Sequence, residues 1–163
     1  MKDERWLDPE ERDAWVRFAA VLELLPASLD AQLSGEQDLT HFDYWVLAML
    51  SEADGHKLRL TSLAARTNAT LPRLSRVVSR QERQGLVERR PCPEDGRAIN
   101  AVLTDAGWVK VVEAARGHVA HVRDVVVGAL TREQIRQLSA ISTQLLARLD
   151  PQGKMFASES TGL

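Results

Sequence analysis

Apolar residues recur along most of this chain at intervals of three and four, the spacing of one buried face on an α-helix. From Asp8-Pro9 to Leu33 the set is Trp15, Phe18, Ala19, Leu22, Leu25 and Leu29. Pro9 suits a first helical position, Asp8 an N-cap, and Glu10 and Glu11 the positive end of the helix dipole. Pro26 is expected to bend or interrupt this helix. A second helix is predicted from Thr40, an N-cap with Asp43 three residues on. It carries Phe42, Trp45, Val46, Met49 and Leu50 and stops before Asp54-Gly55.

In the centre of the chain the pattern shortens. Leu58-Arg59-Leu60 reads as a strand, and Thr61 as the cap of a brief third helix holding Leu63, Ala64 and Ala65. Asn68-Ala69 breaks it. Thr70 then caps a fourth helix to about Gln84, which Gly85 ends in the left-handed conformation that glycine tolerates. Leu86 to Arg89 is predicted as a strand, Pro91 to Gly96 as a turn-rich loop, and Ala98 to Leu103 as the returning strand. Thr104-Asp105-Ala106-Gly107 opens a fifth helix to about Leu130, with Val109, Val112, Ala115, Val119, Val122 and Val126 along one side. Thr131 and Gln134 form a capping box for the last helix, whose stripe is Ile135, Leu138, Ile141, Leu145 and Leu149. Pro151-Gln152-Gly153 ends it.

These elements predict a mainly α fold with a small β-hairpin wing, a winged helix-turn-helix flanked by long dimerisation helices. Residues 1–57 would support and dimerise, 58–104 would form the winged lobe, 105–150 would dimerise, and 151–163 would be a disordered tail. The apolar stripes on the long outer helices exceed what a small central lobe can cover, so a homodimer is expected.

Charge sharpens this picture. The 163-residue chain has a net charge of −2, but residues 1–56 carry 4 Lys/Arg against 13 Asp/Glu, while residues 57–103 carry 10 against 4. The basic block coincides with the winged lobe, as attraction of a polyanion requires. On the fourth helix Leu74, Val77 and Val78 share one face. Arg73, Arg76 and Arg80 share the opposite one, with Thr70, Pro72, Ser75 and Ser79 nearby. A helix about 10–12 Å across fits a major groove about 12 Å wide, where arginine reads guanine or clamps phosphate. Arg89, Arg90 and Arg97 surround the hairpin turn, placed for the minor groove, and Asp95 is positioned to orient the Arg97 guanidinium. Double-stranded DNA is the expected partner, with Thr70, Pro72, Arg73, Ser75, Arg76, Ser79, Arg80, Arg90 and Arg97 as contacts. Eight phosphate-bound arginines per dimer (Arg73, Arg76, Arg80 and Arg97, twice) would give a log K against log[salt] slope of roughly −7.

The runs Leu63-Ala64, Leu74-Ser75-Arg76-Val77-Val78, Gln84-Gly85-Leu86-Val87-Glu88-Arg89, Glu94-Asp95-Gly96-Arg97 and Val102-Leu103-Thr104-Asp105-Ala106-Gly107 together resemble the MarR family of bacterial transcription regulators. The resemblance covers almost the whole chain. It implies a homodimer interlocked through its first, fifth and sixth helices, binding a pseudo-palindromic operator. It also implies repression relieved by a small aromatic or anionic ligand. Gln81 departs from the family pattern, which has an apolar residue there, and Pro72 bears on which bases the first turn of the helix reaches.

Other features carry less. Trp15, His41, Trp45 and Trp108 are candidates for a ligand pocket. His118 and His121 lie three apart on the fifth helix, a metal-ligand spacing without completing ligands, so no metal site is assigned. Cys92 stands alone near the wing arginines and is read as a passive thiol; one cysteine excludes an intramolecular disulfide framework and fits a reducing cytoplasm. The charged start, Met1-Lys2-Asp3-Glu4-Arg5, does not read as a secretion signal, and no apolar run is long enough for a membrane span. No catalytic constellation or phosphate loop is present, so neither an enzyme nor a cofactor is predicted. Two further readings of the same elements are a winged-helix module that docks an acidic protein and a metal- or thiol-responsive sensor.

Overall fold

The computed structural model describes residues 6–156. Within them the elements follow the expected order: α1 (Pro9–Gln37), α2 (His41–Glu52), β1 (Lys57–Arg59), α3 (Leu60–Arg66), α4 (Leu71–Arg83), β2 (Val87–Cys92), β3 (Asp95–Leu103), α5 (Asp105–Val125) and α6 (Arg132–Leu149). The fold class is the expected one, mainly helical with a hairpin wing. The start Met1–Arg5 and the tail beyond 156 lie outside the described residues.

Helix starts are written locally. Asp8 accepts the Glu11 N–H at 2.8 Å while Glu11 accepts the Asp8 N–H at 2.9 Å. The same reciprocal box joins Thr40 to Asp43 and Thr131 to Gln134, and Thr70 and Thr104 cap α4 and α5 through their side chains. Each box satisfies donors that a helix N-terminus otherwise leaves orphaned.

Four details of the helices and the tail differ from expectation. Helix α1 runs unbroken past Pro26 to Gln37. The carbonyl that Pro26 cannot serve belongs to Leu22, a half-exposed residue that water can reach. Helix α3 starts at Leu60, not after Thr61, because β1 runs straight into it and Arg59 is an N-cap without a side-chain bond. Helix α5 stops at Val125, followed by a 3₁₀ turn over Val127–Ala129. Residues 151–156 of the expected tail are folded: the Asp150 carboxylate accepts the Lys154 and Met155 N–H groups at 3.0 and 2.9 Å, drawing a 3₁₀ turn against α3.

The sheet has three antiparallel strands in the order β1-β3-β2. The wing strands are longer and their turn tighter than the loop expected over 91–96: Cys92 already pairs with Asp95. Pro91 is tolerated because β2 is an edge strand, and the register shifts right after it. The core of this lobe is Leu33, Val46, Leu47, Leu50, Leu58, Leu63, Leu74, Val78 and Val87, drawn from α1, α2, β1, α3, α4 and β2.

The wing returns to α5 through a close backbone approach. Gly85 ends the α4 segment at φ 73°, and Thr104 donates its hydroxyl to the Gly85 carbonyl at 2.6 Å and its N–H to Leu86 O at 3.1 Å. Gly107 sits over the same carbonyl. A Cβ there would overlap Leu86 O and come within 2.7 Å of Leu103 Cδ1. Gly107→Ala is therefore expected to cost about 2 kcal/mol, since the blocking atom is backbone rather than a flexible side chain. Urea denaturation checks this; an unshifted midpoint would show that the approach yields freely.

Candidate nucleic-acid interface

Helix α4 buries Leu74, Val77, Val78 and Gln81 against the lobe and turns Pro72, Arg73 and Arg76 outward. Thr70 caps it by accepting the Arg73 N–H, at 3.4 Å. The outward face has defined partners. The Arg73 guanidinium lies over the Phe42 ring, 4.0 Å from its centroid, a cation–π contact that fixes its stem without neutralising it. Arg80 pairs with the Asp43 carboxylate on α2, and its side chain remains 45% exposed while that of Asp43 is 5% exposed. Gln81, an apolar position by the family pattern, is buried and donates Nε2–H to the Asp43 carbonyl at 3.0 Å. The polar residue thus ties α4 to α2.

Arg89 is the residue that sequence reasoning undervalued. From β2 its guanidinium donates to Glu82 Oε2 at 2.8 Å, Ser75 O at 2.9 Å, Ser79 Oγ at 3.0 Å and Ser75 Oγ at 3.1 Å. This clasp welds the wing root to α4. It also occupies Ser75 and Ser79, which the sequence had offered to DNA, as acceptors. The signal available was the motif Gly85-Leu86-Val87-Glu88-Arg89, where an arginine follows a turn closely enough to fold back on the helix.

On the wing, Arg90 pairs with Glu88 at 2.6 Å. Asp95 does not orient the Arg97 guanidinium as expected. Its Oδ1 accepts the Arg97 backbone N–H at 3.1 Å, an Asx turn that shapes the tip and leaves the guanidinium exposed. Cys92 is buried beside Arg59, whose Nη2 lies 3.6 Å from Sγ. The Glu94 backbone N–H, then that of Asp95 and the Arg59 charge, hold its thiol below the ordinary range.

The four aromatic pocket candidates do not converge. Trp15 meets Phe18 on the exposed face of α1, and Trp108 meets His56. Only His41 and Trp45 are neighbours. His41 instead stacks on His118, with ring centroids 5.9 Å apart, and His118 lies 4.7 Å from Tyr44. His118 and His121 turn to different partners, since His121 Nε2 is hydrogen-bonded to Ser28 Oγ at 2.8 Å. Among the described residues no group of three or more His, Cys, Asp or Glu could hold a metal ion, and no helix is long and apolar enough to cross a membrane.

A helix-turn-helix whose flanking strands join in one three-stranded sheet, with the β2–β3 hairpin as its wing and arginines on the outer helix face, defines a winged-helix protein. Comparison with known proteins gives its family. The MarR family model matches residues 37–98. The chain is 37% identical to Sco3205, a MarR family transcriptional regulator from Streptomyces coelicolor whose structure was solved in complex with DNA. That match covers 93% of this chain and 94% of the other, with a TM-score of 0.87. AbsC, a MarR family regulator of the same organism, is 34% identical over 89% of this chain and 97% of its own, with a TM-score of 0.84. The HTH-type transcriptional repressor YetL of Bacillus subtilis is 31% identical over 88 residues, 54% of this chain and 53% of YetL. The chain belongs to the MarR family of transcriptional regulators.

The histidines make folding pH-dependent. Burial holds His41 below the ordinary imidazole range, against the raising effect of Asp30. His118 is lowered by burial and then by the nearby His41 and His121. Both bind a proton less readily folded than unfolded. Stability is then complete above about pH 6.5 and falls as pH drops toward their folded values, where the unfolded chain holds more protons. A melting temperature that declines from about pH 7.5 to 5.5, with the decline flattened in His118→Gln, is the expected result. Equal melting across that range would contradict it.

Proposed function

We propose that this regulator is a homodimer that binds double-stranded DNA at a pseudo-palindromic operator, with α4 in the major groove and the wing tip in the minor groove. The observation that carries this reading is the outward face of α4, where Arg73 and Arg76 stand free of carboxylates on a helix locked from behind by Arg89, Gln81 and Asp43. A rigid helix spends little binding energy on ordering itself. Thr70 and Pro72 lie exposed at the N-terminal end of α4, Ser75 and Ser79 are half-buried further along it, and Arg90 and Arg97 lie on the hairpin. That Sco3205, 37% identical to this chain, was solved in complex with DNA supports DNA as the partner. Residues 58–104 form the reading unit in this account, with 1–57 and 105–150 as its supports.

Dimerisation is supported by what the single chain leaves uncovered. No residue of α6 is buried, although Leu138, Ile141, Leu145 and Leu149 form one stripe. Trp15, Val16, Phe18, Val21 and Leu22 of α1 and Val109, Val112 and Val119 of α5 are likewise exposed. A second copy would bury these stripes. Repression is the direction favoured by the name of YetL. An effector site is supported by an open cleft of about 560 Å³ at the elbow between α5 and α6. Val122, Leu130 and Ile135 supply apolar wall there and His118, Arg123 and Arg132 supply polar and cationic groups, a lining suited to a small anionic apolar molecule. The protein would act in the cytoplasm, where its DNA is, and as a binding protein without an enzymatic step.

Gel shift against genomic fragments tests the reading. Specific fragments should be retained at physiological salt, and retention of none would favour a protein partner instead. Because Asp43 neutralises Arg80, six phosphate-bound arginines per dimer (Arg73, Arg76 and Arg97, twice) are expected, giving a slope of log K against log[salt] near about −5 rather than −7. A slope of about −1 would remove this contact map. Arg97→Ala should weaken operator binding about tenfold with an unchanged melting temperature; undiminished affinity would take the wing out of the mechanism.

A further inference from the structure

Helices α2 and α4 meet at one charged point. Asp43 is almost wholly buried, and its Oδ2 accepts the Thr40 N–H at 2.9 Å and the Thr40 hydroxyl at 2.7 Å. Its other oxygen, Oδ1, takes Arg80, and its backbone carbonyl takes the Gln81 amide at 3.0 Å. The carboxylate is therefore fixed by the cap of α2, and it fixes in turn one edge of a guanidinium on the outer face of α4. The guanidinium is a planar fork with five donors, so one edge can be held while another stays free. Nearly half of the Arg80 side chain remains open to solvent, on the face that also carries Arg73 and Arg76.

We propose that Asp43 is a positioning residue for operator reading, holding Arg80 from within the lobe so that its free edge meets a base already oriented. This inference rests on the DNA-binding reading above. An unrestrained arginine loses rotamer freedom when it grips a base, whereas Arg80 has lost it before the DNA arrives. The pairing also divides labour among the arginines. Arg73 and Arg76 keep their full charge and suit phosphates, which attract without specifying. Arg80 has its charge cancelled by Asp43, so it adds little attraction and serves recognition.

The test uses the full-length chain with a selected operator and a non-operator duplex of equal length. Asp43→Asn removes the carboxylate charge and frees Arg80. Operator affinity should fall about tenfold, while the salt slope on the non-operator duplex steepens by about 2 per dimer as two cations become available to phosphates. Arg80→Lys keeps the ion pair and the fold, but a single ammonium has no second planar edge. It should lose the same operator preference with the non-operator slope and melting temperature of the parent. Two results would overturn the proposal: an unchanged operator to non-operator ratio in Arg80→Lys, or an Asp43→Asn protein whose two affinities fall in proportion. A parent protein that retains no duplex specifically removes the DNA reading itself, and this inference with it.

Discussion

The carboxylate of Asp43 sits almost entirely out of water, and a charge in that position must be matched where it stands. Thr40 and Arg80 meet that demand, and Gln81 ties the Asp43 backbone carbonyl to α4. The consequence reaches beyond one ion pair. The first turn of α2 faces two ways: Phe42 and Asp43 hold arginines of α4, while His41 and Tyr44 pack on His118 of α5. A shift of α2 relative to either neighbour would break contacts on both sides. The helix that carries the outward arginines is thus set by the same turn that packs on the long supporting helices.

A second constraint closes the lobe from the wing side. Arg89 fastens β2 to α4 through Ser75, Ser79 and Glu82, and Thr104 and Gly107 press the start of α5 onto Gly85 and Leu86. The joints among the wing, α4 and α5 are backbone contacts or a multiply bonded guanidinium rather than lone exposed ion pairs. The tip is different. Asp95 shapes its backbone alone, so Arg97 projects without a held guanidinium. A rigid reading helix and a free-reaching arginine are suited to different grooves.

Much of this was legible in the sequence because it is local. The caps at Asp8, Thr40, Thr70, Thr104 and Thr131 each act on a residue three positions away, and Gly85 adopts the left-handed backbone expected at the end of α4. The apolar face of α4 and the order of elements followed from periodicity. What escaped was long-range. Asp43 reads as a capping residue, and its second role depends on Arg80, 37 residues away. The bonds that Ser75 and Ser79 accept from Arg89 join residues 14 and 10 positions apart, beyond the reach of a local pattern. Aromatic residues suggested a pocket by type, but Trp15, Trp108 and the pair His41–Trp45 lie in separate places, because composition says nothing of which helix faces meet. Pro26 misled for another reason: one missing bond on a half-exposed side is affordable when the helix packs elsewhere.

In the proposed complex α4 of each subunit reads base edges in the major groove of a two-fold site. Methylation interference on a selected operator addresses it directly, since guanine N7 lies in that groove. Two clusters of interfering guanines are expected, their centres about 10–10.5 base pairs apart on the duplex. Retention of all N7-methylated fragments with full affinity, or interference in a single unpaired cluster, would contradict it.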